Sequence, residues 1–190
     1  MPRERNWHES MFRRKVRALW PINSSTKIGG PGKIVEIDES KFGKRKAHCG
    51  RLIDGTWVFG GIERDSKRVF MTVVPNRSFE VLLQVLQEWV LDGTTIYSDC
   101  WKSYDKLAEL GFEYHRVNHS LHFVEPETGT HTQNIERLWR DAKDNVPRYG
   151  RRTHHMVGHL AAYLFRRCYP RRQRLHHFVR EVATLYPPSI

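Results

Sequence analysis

Residues 33–43 read KIVEIDESKFG, an alternation of apolar and polar side chains that predicts a half-buried β-strand with Asp38 at the end of its apolar half. Residues 94–99, TTIYSD, predict a second short strand that also ends on an aspartate, Asp99. If a helical crossover sets the second strand parallel beside the first, their equivalent ends are adjacent. The two aspartates then meet at one edge of a sheet.

The segments around these strands fit such a sheet. TWVFGGIERD and KRVFMTVV are two β-rich runs joined near Asp65–Ser66, which predicts a hairpin or meander. RSFEVLLQVLQEWV changes period: Phe79, Leu82, Leu83, Leu86 and Trp89–Val90 form a helical apolar stripe, with Ser78 as N-cap and Gly93 closing the end. CWKSYDKLAELG predicts a short helix stopped by Gly111, and FEYHRVNH a further strand. HTQNIERLWRDAK (131–143) predicts a helix capped by Thr132 and ended by Pro147, and two more helical stretches follow around 154–168 and 173–186. The expected organisation is a basic lead-in and linker over 1–33, a core over 34–150, and a basic helical extension of the same domain over 151–190.

With 190 residues the chain suits one domain with a real core. No apolar run approaches the roughly 18 residues a membrane span needs, and no apolar signal core follows the charged N-terminus, so neither membrane insertion nor secretion is expected. The expected compartment is the nucleus in a eukaryote and the cytoplasm otherwise. Cys49, Cys100 and Cys168 lie far apart with no C-x-x-C pair, which argues against a zinc ribbon and for a reducing compartment. The net charge of +11 is unevenly spread. Residues 1–33 hold eight Lys/Arg against two Asp/Glu, residues 137–190 twelve against three, and residues 34–136 twelve against sixteen. A mildly acidic body between basic flanks suits a protein that binds a polyanion at its periphery and keeps carboxylates inside.

A third carboxylate belongs with the two aspartates. Glu136 lies near the start of a helix whose later turns carry Arg137, Arg140 and Lys143, and a helix packed across the sheet edge can aim it at Asp38 and Asp99. Three carboxylates in one cleft repel one another, and a divalent cation turns the repulsion into coordination. Mg²⁺ or Mn²⁺ is the expected cofactor, with no small-molecule cofactor.

The order of elements resembles the ribonuclease-H-like fold, a mixed five-stranded sheet flanked by helices. Asp38, Asp99 and Glu136 look like its DDE triad. The segments EIDESKFGKRK, YSDCWKSY, VNHSLHFVEPETGTHTQNIERLW and the closing YPP together resemble the Merlin superfamily of transposases, related to a group of bacterial insertion-sequence transposases. The likeness spans about 27–188. It implies metal-dependent DNA strand cleavage and strand transfer, with Asp38, Asp99 and Glu136 as catalytic residues and metal ligands. It also implies DNA as the partner and, as is common among transposases, a homo-oligomer. In some bacterial relatives the third catalytic position is read as an asparagine just upstream of the glutamate, which here makes Asn134 the reserve. His119 and His131 fit the family pattern and are candidates to line the active site.

Lys44, Arg45, Lys46, Arg140, Lys143, Arg148, Arg151 and Arg152 are the candidate DNA contacts, and Arg166, Arg167, Arg171, Arg172 and Arg174 extend the basic tail. Glu36 shares a strand face with Asp38 and reads as a salt-bridge partner, and Trp139 reads as core. Without a thiolate, His115, His119, His122 and His131 are weak candidates for a zinc site. Relatives carry an N-terminal zinc-ribbon or helix-turn-helix segment, whereas about 26 residues precede the match here. The alternative expectation is therefore a relic that binds DNA or a partner without catalysis.

Overall fold

The alternating residues of Ile34–Phe42 form the longest described strand of the computed structural model, which describes residues 26–43, 55–99, 107, 111–117, 131–146 and 153–185. In chain order the strands are β1 (Ile28–Gly29), β2 (Ile34–Phe42), β3 (Thr56–Glu63), β4 (Val69–Val74), β5 (Val90–Leu91), β6 (Thr95–Asp99) and β7 (Glu113–Val117). The helices are α1 (Phe79–Trp89), α2 (Gln133–Asn145), α3 (Thr153–Cys168) and α4 (Arg174–Leu185).

β2, β3 and β4 make the expected antiparallel meander, and β6 and β7 continue from the other side of β2 in parallel. The resulting five-stranded sheet has the order β4-β3-β2-β6-β7, the mixed topology of the ribonuclease-H-like fold. The β3–β4 turn falls where Asp65–Ser66 was expected. It closes through Glu63 N–H donating to Arg68 O at 2.9 Å, and it places Lys67 in the left-handed region at φ 58°.

Two details differ from the sequence reading. α1 stops at Trp89 instead of running through Val90, because Val90–Leu91 turns extended and pairs in parallel with Ile28–Gly29. The pairing satisfies backbone groups that another helical turn would have used, and it makes strand out of residues within the expected linker. Ser78 occupies the N-cap position of α1, but its side chain makes no capping bond; its own N–H donates to Asn76 Oδ1 at 2.8 Å. The helix expected over 100–111 lies outside the described residues except for Leu107 and Gly111.

Alternation along β2 sorts its side chains onto two faces. Val35 and Ile37 are fully buried and join Phe59, Phe70, Leu82, Leu86 and Ile96 in the hydrophobic core on the α1 face. Glu36, Asp38, Ser40 and Phe42 take the opposite face, where α2 lies. α2 buries Ile135, Leu138, Trp139 and Ala142 and exposes Glu136, Arg140 and Lys143.

One compact unit spans Thr26–Asp144, and the chain from Asn145 onward belongs to a second. In the second unit α3 buries Met156, Leu160, Tyr163 and Phe165. Its junction with α4 is tied by Arg174, whose Nε donates to Tyr169 O at 2.9 Å and whose guanidinium also donates to Arg166 O at 2.8 Å. The His177 ring stacks on Tyr169 at 3.8 Å. No described helix is long and apolar enough to cross a membrane.

Candidate active site

The parallel register of β2 and β6 pairs Ile34 with Thr95, Val35 with Ile96 and Glu36 with Tyr97. Two residues further along the same offset, Asp38 falls opposite Asp99. Asp99 therefore ends β6 beside Asp38, which stands in the middle of β2 and not at the strand end that the sequence reading expects, because β2 runs on to Phe42 in its pairing with β3. Ser98 Oγ donates to the Asp99 carbonyl at 2.9 Å and secures the end of β6.

α2 is tied to the same face of β2 at two points. The first is Glu36, whose carboxylate is fully buried and accepts four hydrogen bonds. Oε2 receives the backbone N–H groups of Asn134 (2.9 Å) and Ile135 (3.0 Å), while Oε1 receives Arg64 Nε (2.8 Å) and Asn134 Nδ2 (2.7 Å). A carboxylate on the first-turn N–H groups caps the helix from another element and favours the positive end of its dipole. The partnership expected for Glu36 is thus with Arg64, whose side chain also donates to His131 O at 2.5 Å and lies 4.5 Å from the centre of the Tyr97 ring.

The second tie is Trp139, whose indole Nε1 donates to Asp38 Oδ2 at 2.9 Å. Trp139 is buried, as a core residue should be, yet it also touches a candidate catalytic carboxylate. Its ring packs edge-on against Phe42 at 6.1 Å between centroids and lies over Gly60, the cross-strand partner of Asp38. A Cβ at Gly60 would come within 2.8 Å of the indole. The adjacent Gly61 does the same on the other face, where a Cβ would meet the Phe70 ring at 2.4 Å. The Gly60–Gly61 pair inside β3 thus lets one aromatic ring settle on each face of the sheet.

Between the two ties, α2 carries Glu136 within electrostatic reach of Asp38. Burial first, and then the negative charge of Asp99, push the Asp38 carboxyl from an ordinary 3.8 up to about 7. Glu136 adds a smaller push in the same direction, opposed by the N–H groups of Glu39 and Trp139 that favour the ionised form. The structure therefore brings Asp38, Asp99 and Glu136 into one field. Among the described residues, no three His, Cys, Asp or Glu side chains are gathered tightly enough to hold a metal ion as they stand. The donor set still fits a hard divalent cation: all its donors are carboxylate oxygens, and their mutual repulsion is what such an ion would relieve.

The remaining candidates divide. Asn134 turns its amide to Glu36 through Nδ2 and to Lys67 Nζ through Oδ1 (3.0 Å), so its polar atoms serve the helix cap. His131 lies beside the same network, with Nδ1 3.8 Å from Glu36 Oε1; burial and the Arg64 guanidinium hold its imidazole below the usual histidine range. Arg140 and Lys143 are exposed on α2, with Lys143 Nζ 5.7 Å from the centre of the Phe42 ring. Lys44, Arg45, Lys46, His119, Arg148, Arg151 and Arg152 lie outside the described residues. His115 pairs with Glu113 at 3.0 Å, and His119 and His122 lie outside the described residues.

Residues 28–169 match the ISXO2-like transposase domain family. Over 82 residues the chain is 33% identical to an uncharacterized transposase-like protein of Haemophilus influenzae; the aligned stretch is 43% of this chain and spans 65% of that relative's length. Two solved structures are similar at low identity. One is the catalytic core domain of BIV integrase, at 16% identity and TM-score 0.48, covering 80% of this chain and 97% of that one. The other is the simian T-cell lymphotropic virus intasome in complex with PP2A regulatory subunit B56 gamma, at 12% identity and TM-score 0.41, covering 87% of this chain and 52% of that one. Since the family match takes in both candidate aspartates, Glu136 and most of the chain, the protein belongs to the ISXO2-like transposase domain family.

Proposed function

We propose that the domain catalyses divalent-metal-dependent cleavage of DNA strands at the ends of a mobile element, followed by transfer of the freed 3′-hydroxyl to target DNA. The observation that carries this reading is the parallel β2–β6 register that sets Asp38 beside Asp99, with α2 tied to Asp38 and carrying Glu136 close enough to act on it. Carboxylates concentrated in this way are costly unless they serve a cation.

In this reading Asp38, Asp99 and Glu136 would hold Mg²⁺ or Mn²⁺. The chemistry such an ion supplies is activation of the attacking oxygen and charge stabilisation at the leaving one. The protein's own part is placement. β2 and β6 present two carboxylates side by side, α2 brings the third, and the Glu36 cap fixes where α2 begins. Arg140 and Lys143, one and two turns beyond Glu136, can meet the DNA backbone, and the basic flanks add affinity without reading sequence. Both reactions are in-line displacements at phosphorus, so one site can serve both. DNA is the proposed partner, with several copies of the chain joining two element ends.

The test is cleavage of labelled DNA carrying the inverted repeats that flank the gene, with Mn²⁺, by wild type and by Asp38→Asn, Asp99→Asn and Glu136→Gln. Each substitution should lower the cleavage rate about a thousandfold, since charge stabilisation by a bound ion is worth several kcal/mol. A wild-type protein that binds this DNA without cutting it would leave the non-catalytic reading in its place.

A further inference from the structure

Resting on the reading of Asp38 as a metal ligand, we propose that Trp139 is a positioning residue that sets the affinity of the site for its divalent cation by fixing the Asp38 carboxylate through the indole N–H. Asp38 has a donor on each oxygen: the Glu39 backbone N–H on Oδ1 at 2.7 Å and Trp139 Nε1 on Oδ2 at 2.9 Å. One donor would leave the carboxylate free to swing about its side-chain torsions. Two donors on different oxygens fix its plane and leave the remaining lone pairs to a ligand.

The donor is itself immobilised. The indole is buried, wedged edge-on against Phe42 and seated over Gly60, where even a methyl group would come within 2.8 Å. An indole N–H also suits the task chemically. It only donates, and it carries no charge. An arginine or lysine in its place would hold the carboxylate equally well but would neutralise the charge a cation needs. Trp139 also belongs to the helix that carries Glu136, while Asp38 lies 101 residues away on β2. The bond therefore works as a spacer between two of the three proposed ligands, which neither strand pairing nor the helix alone provides.

The test is Mn²⁺ binding, followed as loss of the free-ion electron paramagnetic resonance signal. It compares the full chain as wild type, Trp139→Phe, and a chain with 3-benzothienylalanine introduced at 139. That analogue keeps the bicyclic shape and lacks the N–H, so it carries the test even if Trp139→Phe folds poorly. A 5-fluorotryptophan at the same site restores the N–H. Both variants without the N–H should bind Mn²⁺ about 10- to 100-fold more weakly, as when groups that orient metal ligands are removed, and 5-fluorotryptophan should return the wild-type value. Mn²⁺ binding by the benzothienylalanine protein at the wild-type midpoint would overturn the role of Trp139 while leaving the metal site standing. A folded wild type that binds no Mn²⁺ would overturn both.

Discussion

Asp38→Asn should make the metal-free protein more stable above neutral pH and less stable in acid. Burial and the neighbouring charges of Asp99 and Glu136 move the Asp38 pKa from 3.8 to about 7, a difference equivalent to about 4 kcal/mol of penalty on the ionised, folded form. Between those two values the folded chain keeps the proton and the unfolded chain has released it. The contribution of Asp38 to stability therefore falls as pH rises from about 4 to about 7 and is level above that. Asparagine removes the penalty but has one acceptor oxygen where aspartate has two. Either the Glu39 or the Trp139 N–H then faces an amide NH₂, at a cost of about 1–3 kcal/mol. The net expectation in EDTA is a variant about 1–3 kcal/mol more stable than wild type near pH 8 and less stable by a similar amount near pH 4, read from urea unfolding. The difference between the two proteins cancels the titrating groups that do not interact with Asp38, leaving Asp38 and its coupling to Asp99 and Glu136. Saturating Mn²⁺ should reverse the order at pH 8, because only wild type gains binding free energy. A difference that stays flat across this pH range would refute the reasoning, and so would a wild type that gains on the variant as pH rises.

Glu36→Ala strands the Arg64 guanidinium and two first-turn N–H groups of α2, and should lower the unfolding free energy by about 3–5 kcal/mol in urea titrations. Gly60→Ala puts a Cβ 2.8 Å from the Trp139 ring and 2.9 Å from Phe70 O, so it should cost about 1–3 kcal/mol by thermal unfolding and also weaken Mn²⁺ binding. Gly61→Ala meets the Phe70 ring on the opposite face; it should lower stability in the same assay but leave the Mn²⁺ midpoint unchanged. DNA affinity measured by fluorescence anisotropy should fall steeply between 50 and 200 mM salt, by a factor of about 10³ if six or more phosphates are neutralised, and a flat response would point to a protein partner.

Most of the sheet was legible because its cues are local. Alternation marks β2, the Asp65–Ser66 turn marks the β3–β4 hairpin, and the period change at Phe79 marks α1. The parallel placement of β6 follows from the helical crossover, and with it the meeting of Asp38 and Asp99. Glu136 was legible as one acidic group near the start of an otherwise basic helix, and the resemblance added its reading as the third member of a triad. What failed locally were the two-residue strands β1 and β5, whose paired residues lie 62 apart in sequence, so that each depends on the other and neither carries a periodic trace.

The parts of the site that pattern reading could not reach share a physical cause. Glu36 and Trp139 act through hydrogen bonds spanning about a hundred residues, and each has a sufficient local explanation that hides the distant one. Glu36 is polar at a position where β2 alternates, so an exposed glutamate would satisfy the pattern, although this one is buried and caps α2. Trp139 is apolar at a packing position of α2, so burial alone would account for it. The available clue lay on a third element. Two consecutive glycines inside a β-rich run weaken a strand unless something must approach the backbone on both sides. Gly60 stands directly across from Asp38, so whatever approached there had to be large, rigid and close to that carboxylate. A tryptophan on the helix that carries Glu136 meets that requirement and can donate to Asp38 without neutralising it. The glycine in the strand, the aspartate beside it and the indole on the helix therefore make one device, in which the space left by a missing side chain sets the position of a donor, and the donor sets the position of a charge.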